Sequence, residues 1–232
     1  MNLCVIPARG GSKRIPRKNI KEFNGKPIIQ YSIEAAQKSE CFDMVVVSTD
    51  DDEIADIALS LGAQVPFTRP GNLSNDHATT VPVIKHAIDW FENKGQQFDY
   101  VCCIYPTAPL IKPEFIIKAY NELIESNADY CFTATDYPAP IQRAFKVDSN
   151  HYVEMFQPEC YNMRSQDLQA AFHDAGQFYW GKPQAYQNEL PFYSKKSKAM
   201  LIPRYFVQDI DNDQDWKRAE LMYSLLKETA EI

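Results

Sequence analysis

The apolar residues follow two rhythms that alternate along the chain. Short, nearly continuous runs at 3–6, 44–48, 64–67, 100–105 and 128–134 read as strands buried on both faces. The stretches between them, with apolar residues three or four apart, read as helices. These are 27–38, opened by Pro27; 52–61, closed by Gly62; 81–91, with Val81, Ile84, Ile88 and Phe91 on one side; and 113–126, opened by Pro113. Such alternation predicts an α/β fold: a doubly wound, mostly parallel sheet with right-handed crossovers. Ligands of these sheets bind beyond the carboxyl ends of the strands. A site is therefore expected in the segments after Ile6, Ser48, Phe67 and Tyr105.

From 136 to 175 the rhythm is lost, and only a hairpin at 145–147 and 152–155 is expected there. Long excursions from a compact domain are usually functional, so this inserted arm is expected to make a dimer contact or cover a substrate. The core pattern resumes at 177–180, followed by a strand at 199–202. A last helix at 214–227 has Trp216, Ala219, Tyr223 and Leu226 on one face. The expected organisation is one domain over 1–232 with an arm at 136–175.

Composition narrows the function classes. With 45% hydrophobic and 24% charged residues, the chain is globular rather than disordered. A net charge of -7 argues against a general nucleic-acid or membrane-surface binder. No apolar run is long enough to span a bilayer, and the first residues lack a basic leader, so a cytoplasmic protein is expected. The six cysteines include no CxxC pair and are expected to be reduced thiols. The four histidines show no zinc-ligand spacing.

One segment departs from the acidic balance. Arg9, Lys13, Arg14, Arg17, Lys18 and Lys21 crowd the loop after the first strand with no acid among them, beside Gly10 and Gly11. Such a cluster is stabilised by an anion, and the glycines let the backbone approach one closely, so a polyphosphate fits. The Walker A and dinucleotide glycine patterns are both absent. Near the other end, Asp209 and Asp211 flank Ile210. In extended chain, i and i+2 side chains share a side, so the pair can present two carboxylates to one hard cation. Asn212, Asp213 and Asp215 read as a helix cap and first turn, as do Asp51 to Glu53 earlier, while Asp50 lies within reach of the site. A basic loop and an acidic pair at one sheet edge suggest a nucleoside triphosphate with Mg2+ and attack on phosphorus.

The run Ile6-Pro7-Ala8-Arg9-Gly10-Gly11-Ser12-Lys13-Arg14-Ile15-Pro16-Arg17-Lys18-Asn19 resembles the CTP-binding signature of the CMP-sugar synthetases (acylneuraminate cytidylyltransferases). Gly25-Lys26-Pro27, Val46 to Asp50, Arg69-Pro70, Asp76, Pro106-Thr107-Ala108-Pro109-Leu110 and Asp209-Ile210-Asp211 follow in matching order. Asp174-Ala175-Gly176 stands where sialic acid enzymes carry Asn-Gly, which resembles the pseudaminic acid branch. The resemblance implies the nucleotide-diphospho-sugar transferase fold, a Rossmann-like architecture, and formation of a CMP-nonulosonic acid for bacterial surface-glycan or flagellin glycosylation. Activation of a neuraminic or legionaminic acid is the alternative within the family. A glycosyltransferase or a non-catalytic nucleotide-binding protein are the alternatives outside it.

By the same resemblance, Arg9, Ser12, Lys13 and Lys18 bind the CTP phosphates and Asn19 supports their loop. Arg69, Thr79 and Thr107 read cytosine and ribose, and Asp209 and Asp211 hold Mg2+. Arg9, Lys18 and the two aspartates form the catalytic set. The sugar lies between the arm and the 177–179 strand, near Gln177 and Tyr179, with Gln169 beside it and Arg164 on its carboxylate. The arm implies a homodimer.

Overall fold

The computed structural model describes every residue from 1 to 232. Strand β1 (Asn2–Pro7) buries Leu3 and Val5 in one hydrophobic cluster and Cys4 and Ile6 in another, as a strand covered on both faces must. A long loop then ends in a minimal hairpin, β2 (Glu22–Phe23) with β3 (Lys26–Pro27), which delivers the chain to α1 (Ile28–Ser39). Next come β4 (Met44–Ser48), α2 (Asp52–Ser60), α3 (Thr80–Glu92), β5 (Tyr100–Ile104), α4 (Pro113–Ile124) and β6 (Tyr130–Asp136). The arm follows, with β7 (Phe145–Val147) paired to β8 (Val153–Met155). The chain closes with β9 (Phe172–Gly181), α5 (Pro183–Gln187), β10 (Ser197–Leu201) and α6 (Asp213–Glu228).

The six-stranded sheet has the order β10-β6-β9-β5-β1-β4. β4, β1 and β5 run parallel, as do β10 and β6, whereas β9 is antiparallel to both its neighbours. A doubly wound, mostly parallel sheet is therefore present, with one reversed strand that returns from the arm without a crossover helix. β9 begins at Phe172, so its first residues belong to the sheet rather than to the arm. The strand expected at 64–67 exists only as two isolated bridges, Val46 with Gln64 and Thr49 with Thr68. Pro66 offers no N–H with which to continue the ladder.

Helices α1, α2 and α4 cover one face, where Trp180 stacks on Phe42 and donates its indole N–H to the Ile116 carbonyl at 3.1 Å. Helices α3 and α5 cover the other, over Val101, Cys103, Tyr130 and Tyr179. All six cysteines are unpaired. No helix is long and apolar enough to cross a membrane.

A third, smaller cluster positions the site. Ile15 from the basic loop packs with Phe23, Ile28 and Tyr31, and against them lie Ile210, Trp216 and Ala219. The loop and the acidic segment, far apart in sequence, thus share one apolar anchor. Phe23 sets its ring edge-on to Tyr31 and Trp216 at 5.5 and 5.6 Å. Ile210 is wholly buried. Truncating it, Ile210→Ala, is expected to cost about 2–5 kcal/mol in denaturant unfolding, as for other buried aliphatic truncations, and to loosen the Asp209–Asp211 segment.

Candidate active site

Because β1, β4 and β5 are parallel, their carboxyl ends lie on one sheet edge, and the loops after Pro7, Ser48 and Ile104 meet there. A cavity of about 620 Å³ opens at that edge. Its walls include Arg9, Ser12, Lys13, Lys18 and Asn19 from the first loop, and Arg69, Thr79 and Thr107 from later ones. Asp209 and Asp211 come from the segment before α6. The fold therefore gathers both charge centres and the expected nucleotide-reading residues around one space.

The loop is held rigidly. Buried Asn19 donates from Nδ2 to the Arg9 carbonyl at 2.9 Å. Gly10 passes so close to α2 that a Cβ there would stand 2.5 Å from Asp51 Oδ2. Its N–H goes to Asp50 Oδ1 at 3.1 Å, so Gly10 serves contact with the segment that enters α2, and Asp50 meets the loop without lining the cavity. Asp51 caps α2 by accepting from the Ile54 N–H. Arg17, at φ 57, turns away from the cavity to bind Asp51 and Glu53.

Carboxylates of the chain itself meet the remaining loop cations. Asp76 sits 2.9 Å from Arg9 and 2.5 Å from Lys13. Arg14 meets Asp211 at 2.7 Å, Lys18 lies 4.0 Å from the same oxygen, and Lys21 lies 3.8 Å from Asp213. The cluster is thus balanced by acids that the loop alone does not contain, and Arg9, Lys13, Arg14 and Lys18 line the cavity while paired to them. Asp76, Arg14, Thr80 and Tyr105 also line it. Of these, Asp76 was foreshadowed only by its place in the resemblance, since its pairing with Arg9 is wholly tertiary.

Lys18 is the most enclosed of the loop cations. Its ammonium donates to the Ile210 carbonyl at 2.6 Å, and burial lowers its pKa against the pull of Asp211 and Asp209. Arg69 is 4% exposed and bonds the Ser48 carbonyl and hydroxyl, and burial lowers its pKa to about 10. Asp209 is an exposed residue overall, yet protein packed around its carboxyl strips water from it. That desolvation, with the Asp211 charge, raises its pKa. Asn212 caps α6 in a reciprocal box with Asp215, whose carboxylate also receives the Asp211 N–H at 3.1 Å. The two carboxylates are therefore presented by a fixed backbone, with Ile210 turned into the core between them.

The remaining expected residues lie elsewhere. Gln177 is buried, donating to the Phe206 carbonyl at 2.6 Å with its own amide oxygen unpartnered. Tyr179 is buried too and donates to Asp174. Arg164 and Gln169 stay on the exposed arm, outside this cavity. Arg164 closes on Asp167 at 2.7 Å within its own turn, and the Gln169 carbonyl receives the Gln142 amide.

A family model described as "Cytidylyltransferase" matches residues 3–230. A pseudaminic acid cytidylyltransferase of Campylobacter jejuni is 47% identical over 229 residues, covering 99% of each chain. A CMP-N,N'-diacetyllegionaminic acid synthase of Legionella pneumophila is 31% identical, covering 97% of each. Among solved structures, a CMP:2-keto-3-deoxy-manno-octonic acid synthetase complexed with CTP superimposes with a TM-score of 0.70 at 17% identity, over 97% of this chain and 98% of that one. That likeness carries the fold, and the sequence matches carry the lineage: this chain belongs to the cytidylyltransferase family.

Proposed function

We propose that the protein couples CTP to a nonulosonic acid, pseudaminic acid, giving the CMP-sugar and pyrophosphate. The observation that carries this reading is the single cavity in which the loop cations face Asp209 and Asp211. The 47% identity to a pseudaminic acid cytidylyltransferase over the full length supports the choice of sugar.

In the reaction the anomeric hydroxyl oxygen of the sugar acid forms a bond to the α-phosphorus. The bond from that phosphorus to the oxygen bridging it to the β-phosphorus breaks, pyrophosphate leaves with that oxygen, and the hydroxyl proton passes to water. Arg9, Lys13 and Lys18, which line the cavity, would grip the β- and γ-phosphates and stabilise the departing pyrophosphate. Ser12 and the loop backbone add donors. Arg69, Thr79 and Thr107 line the same cavity and would read ribose and cytosine.

The donor set suits Mg2+, which takes one or two carboxylates and completes its shell with water and phosphate oxygens. Asp209 and Asp211 would hold it. Once bound, such an ion neutralises charge on the attacked phosphate.

A homodimer is part of this reading. The arm exposes Phe145, Val147, Tyr152, Val153, Phe156 and Tyr161, with Tyr152 75% and Tyr161 72% exposed. Apolar side chains so concentrated on one excursion fit contact with a second copy, which would also explain why Arg164 and Gln169 lie outside the cavity that holds the loop cations and the acidic pair. A cytoplasmic location follows from the availability of CTP there.

The test is pyrophosphate release with CTP, Mg2+ and a panel of pseudaminic, legionaminic, neuraminic and 3-deoxy-manno-octulosonic acids. Release is expected only when all three components are present, with pseudaminic acid giving the highest kcat/KM. Preference for another acid would reassign the sugar, and CTP binding without turnover on any acid would defeat the reading.

A further inference from the structure

The turn that leads into α3 lines the cavity with Asp76, Ala78 and Thr79. Its own polar contacts are local. The Asn75 side-chain oxygen accepts the N–H groups of His77 and Ala78 at 2.8 and 3.0 Å, and its amide donates to the Asn72 carbonyl at 3.0 Å. The Ser74 hydroxyl reaches back only to the Pro70 carbonyl, at 3.1 Å. Asn75, Asp76 and His77 are exposed. What ties this turn to the distant loop after β1 is Asp76, with one carboxylate oxygen 2.9 Å from Arg9 Nη1 and the other 2.5 Å from Lys13 Nζ.

The two cations so engaged are ones that phosphate oxygens would need. Asp209 and Asp211 suit a metal ion that would arrive with the triphosphate, whereas Asp76 has Arg9 and Lys13 as its counter-charges and meets no others. A phosphate group drawn to this pair would find a like charge already on it, and the two anions repel. Exposure decides which of them yields. The Arg9, Lys13 and Asp76 side chains are 33%, 80% and 37% exposed, so water screens both pairs, and each contributes a factor of about five at most. A triphosphate brings several charges against the single one of Asp76, and the turn behind Asp76 has no other long-range ion pair to hold it.

We propose that Asp76 is an internal competitor of the triphosphate: it occupies Arg9 and Lys13 until CTP expels it, and the turn at 74–79 leaves the β1 loop as the nucleotide enters. This rests on the cytidylyltransferase reading above and adds to it a contact that holds CTP affinity down. Apparent affinity falls by the fraction of molecules in which the two cations are free.

Calorimetric titration with Mg2+-free CTP and with inorganic tripolyphosphate tests the idea. Asp76→Asn is expected to tighten binding of both by about threefold to thirtyfold, the effect of one or two exposed ion pairs that no longer need to be broken. Asp213 serves as the control, since it is 88% exposed, lies 3.8 Å from Lys21 and stands outside the cavity. Asp213→Asn removes the same charge and should change either affinity less than twofold. A nitroxide on His77→Cys, corrected for label on the native cysteines, needs no change at Asp76. It should become more mobile when tripolyphosphate is added. Weaker binding by Asp76→Asn would make Asp76 a support for the two cations and overturn the proposal. So would equal tightening by Asp213→Asn, or a label that tripolyphosphate slows or leaves unchanged. If neither CTP nor tripolyphosphate binds the wild type, the reading of the cavity fails and this one with it; binding that Asp76→Asn leaves unaltered sinks only the competitor role.

Discussion

Asp211→Asn is expected to lower kcat by about a hundredfold to a thousandfold in a protein that melts as the wild type does, the usual cost of removing one group that stabilises transition-state charge. The two effects separate because the side chain does little for the fold. Its carboxylate meets exposed Arg14 at 2.7 Å, and exposed pairs of this kind contribute about 0–1 kcal/mol. The amide keeps the shape and still accepts from Arg14. It also relieves repulsion with Asp209, whose pKa is raised partly by the Asp211 charge. What is lost is half of the acidic pair facing the cavity. Steady-state kinetics and a thermal melt on one preparation decide the matter. Full activity would remove Asp211 from the catalytic set, and a collapsed melting curve would recast it as a structural residue.

The second large effect is expected at Lys18. Lys18→Gln should reduce kcat/KM for CTP by about a hundredfold or more, as removal of a buried transition-state donor does elsewhere. Lys13→Gln should cost less than tenfold. Both side chains line the cavity, but Lys13 is 80% exposed and Lys18 only 20%. A charge shielded from water acts at a lower effective dielectric, so its removal is felt more. Lys18 also ties the loop to the acidic segment through the Ile210 carbonyl. Kinetics on both variants at several CTP concentrations give the ranking, and a larger loss at Lys13 would contradict it.

Much of this site could be read before the structure, for identifiable reasons. Asp209 and Asp211 are two apart around an apolar residue, and extended backbone turns that spacing into two carboxylates on one side with Ile210 inward. The crowded cations after β1 announced a charged cavity because like charges are not gathered without counter-charge. The part of that counter-charge supplied by Asp76 was not legible as a contact, since nothing local ties residue 76 to Arg9. Arg17 looked like its neighbours and yet turns outward, because its backbone conformation and the Asp51–Glu53 carboxylates decide its direction. The reversal of β9 was hidden for a similar reason. A doubly buried strand has the same apolar run in either direction. Arg164 was expected on the sugar, but within one chain the nearest carboxylate, Asp167, takes it.

Calorimetric titration of CTP, with and without Mg2+, into the wild type and the Asp209→Asn/Asp211→Asn double variant tests the shared triphosphate site most directly. Mg2+ should tighten CTP binding to the wild type by at least tenfold. The variant should bind CTP no more weakly than the Mg2+-free wild type, and Mg2+ should then make no difference. An undiminished Mg2+ effect in the variant would mean that the acidic pair and the loop cations do not grip one guest.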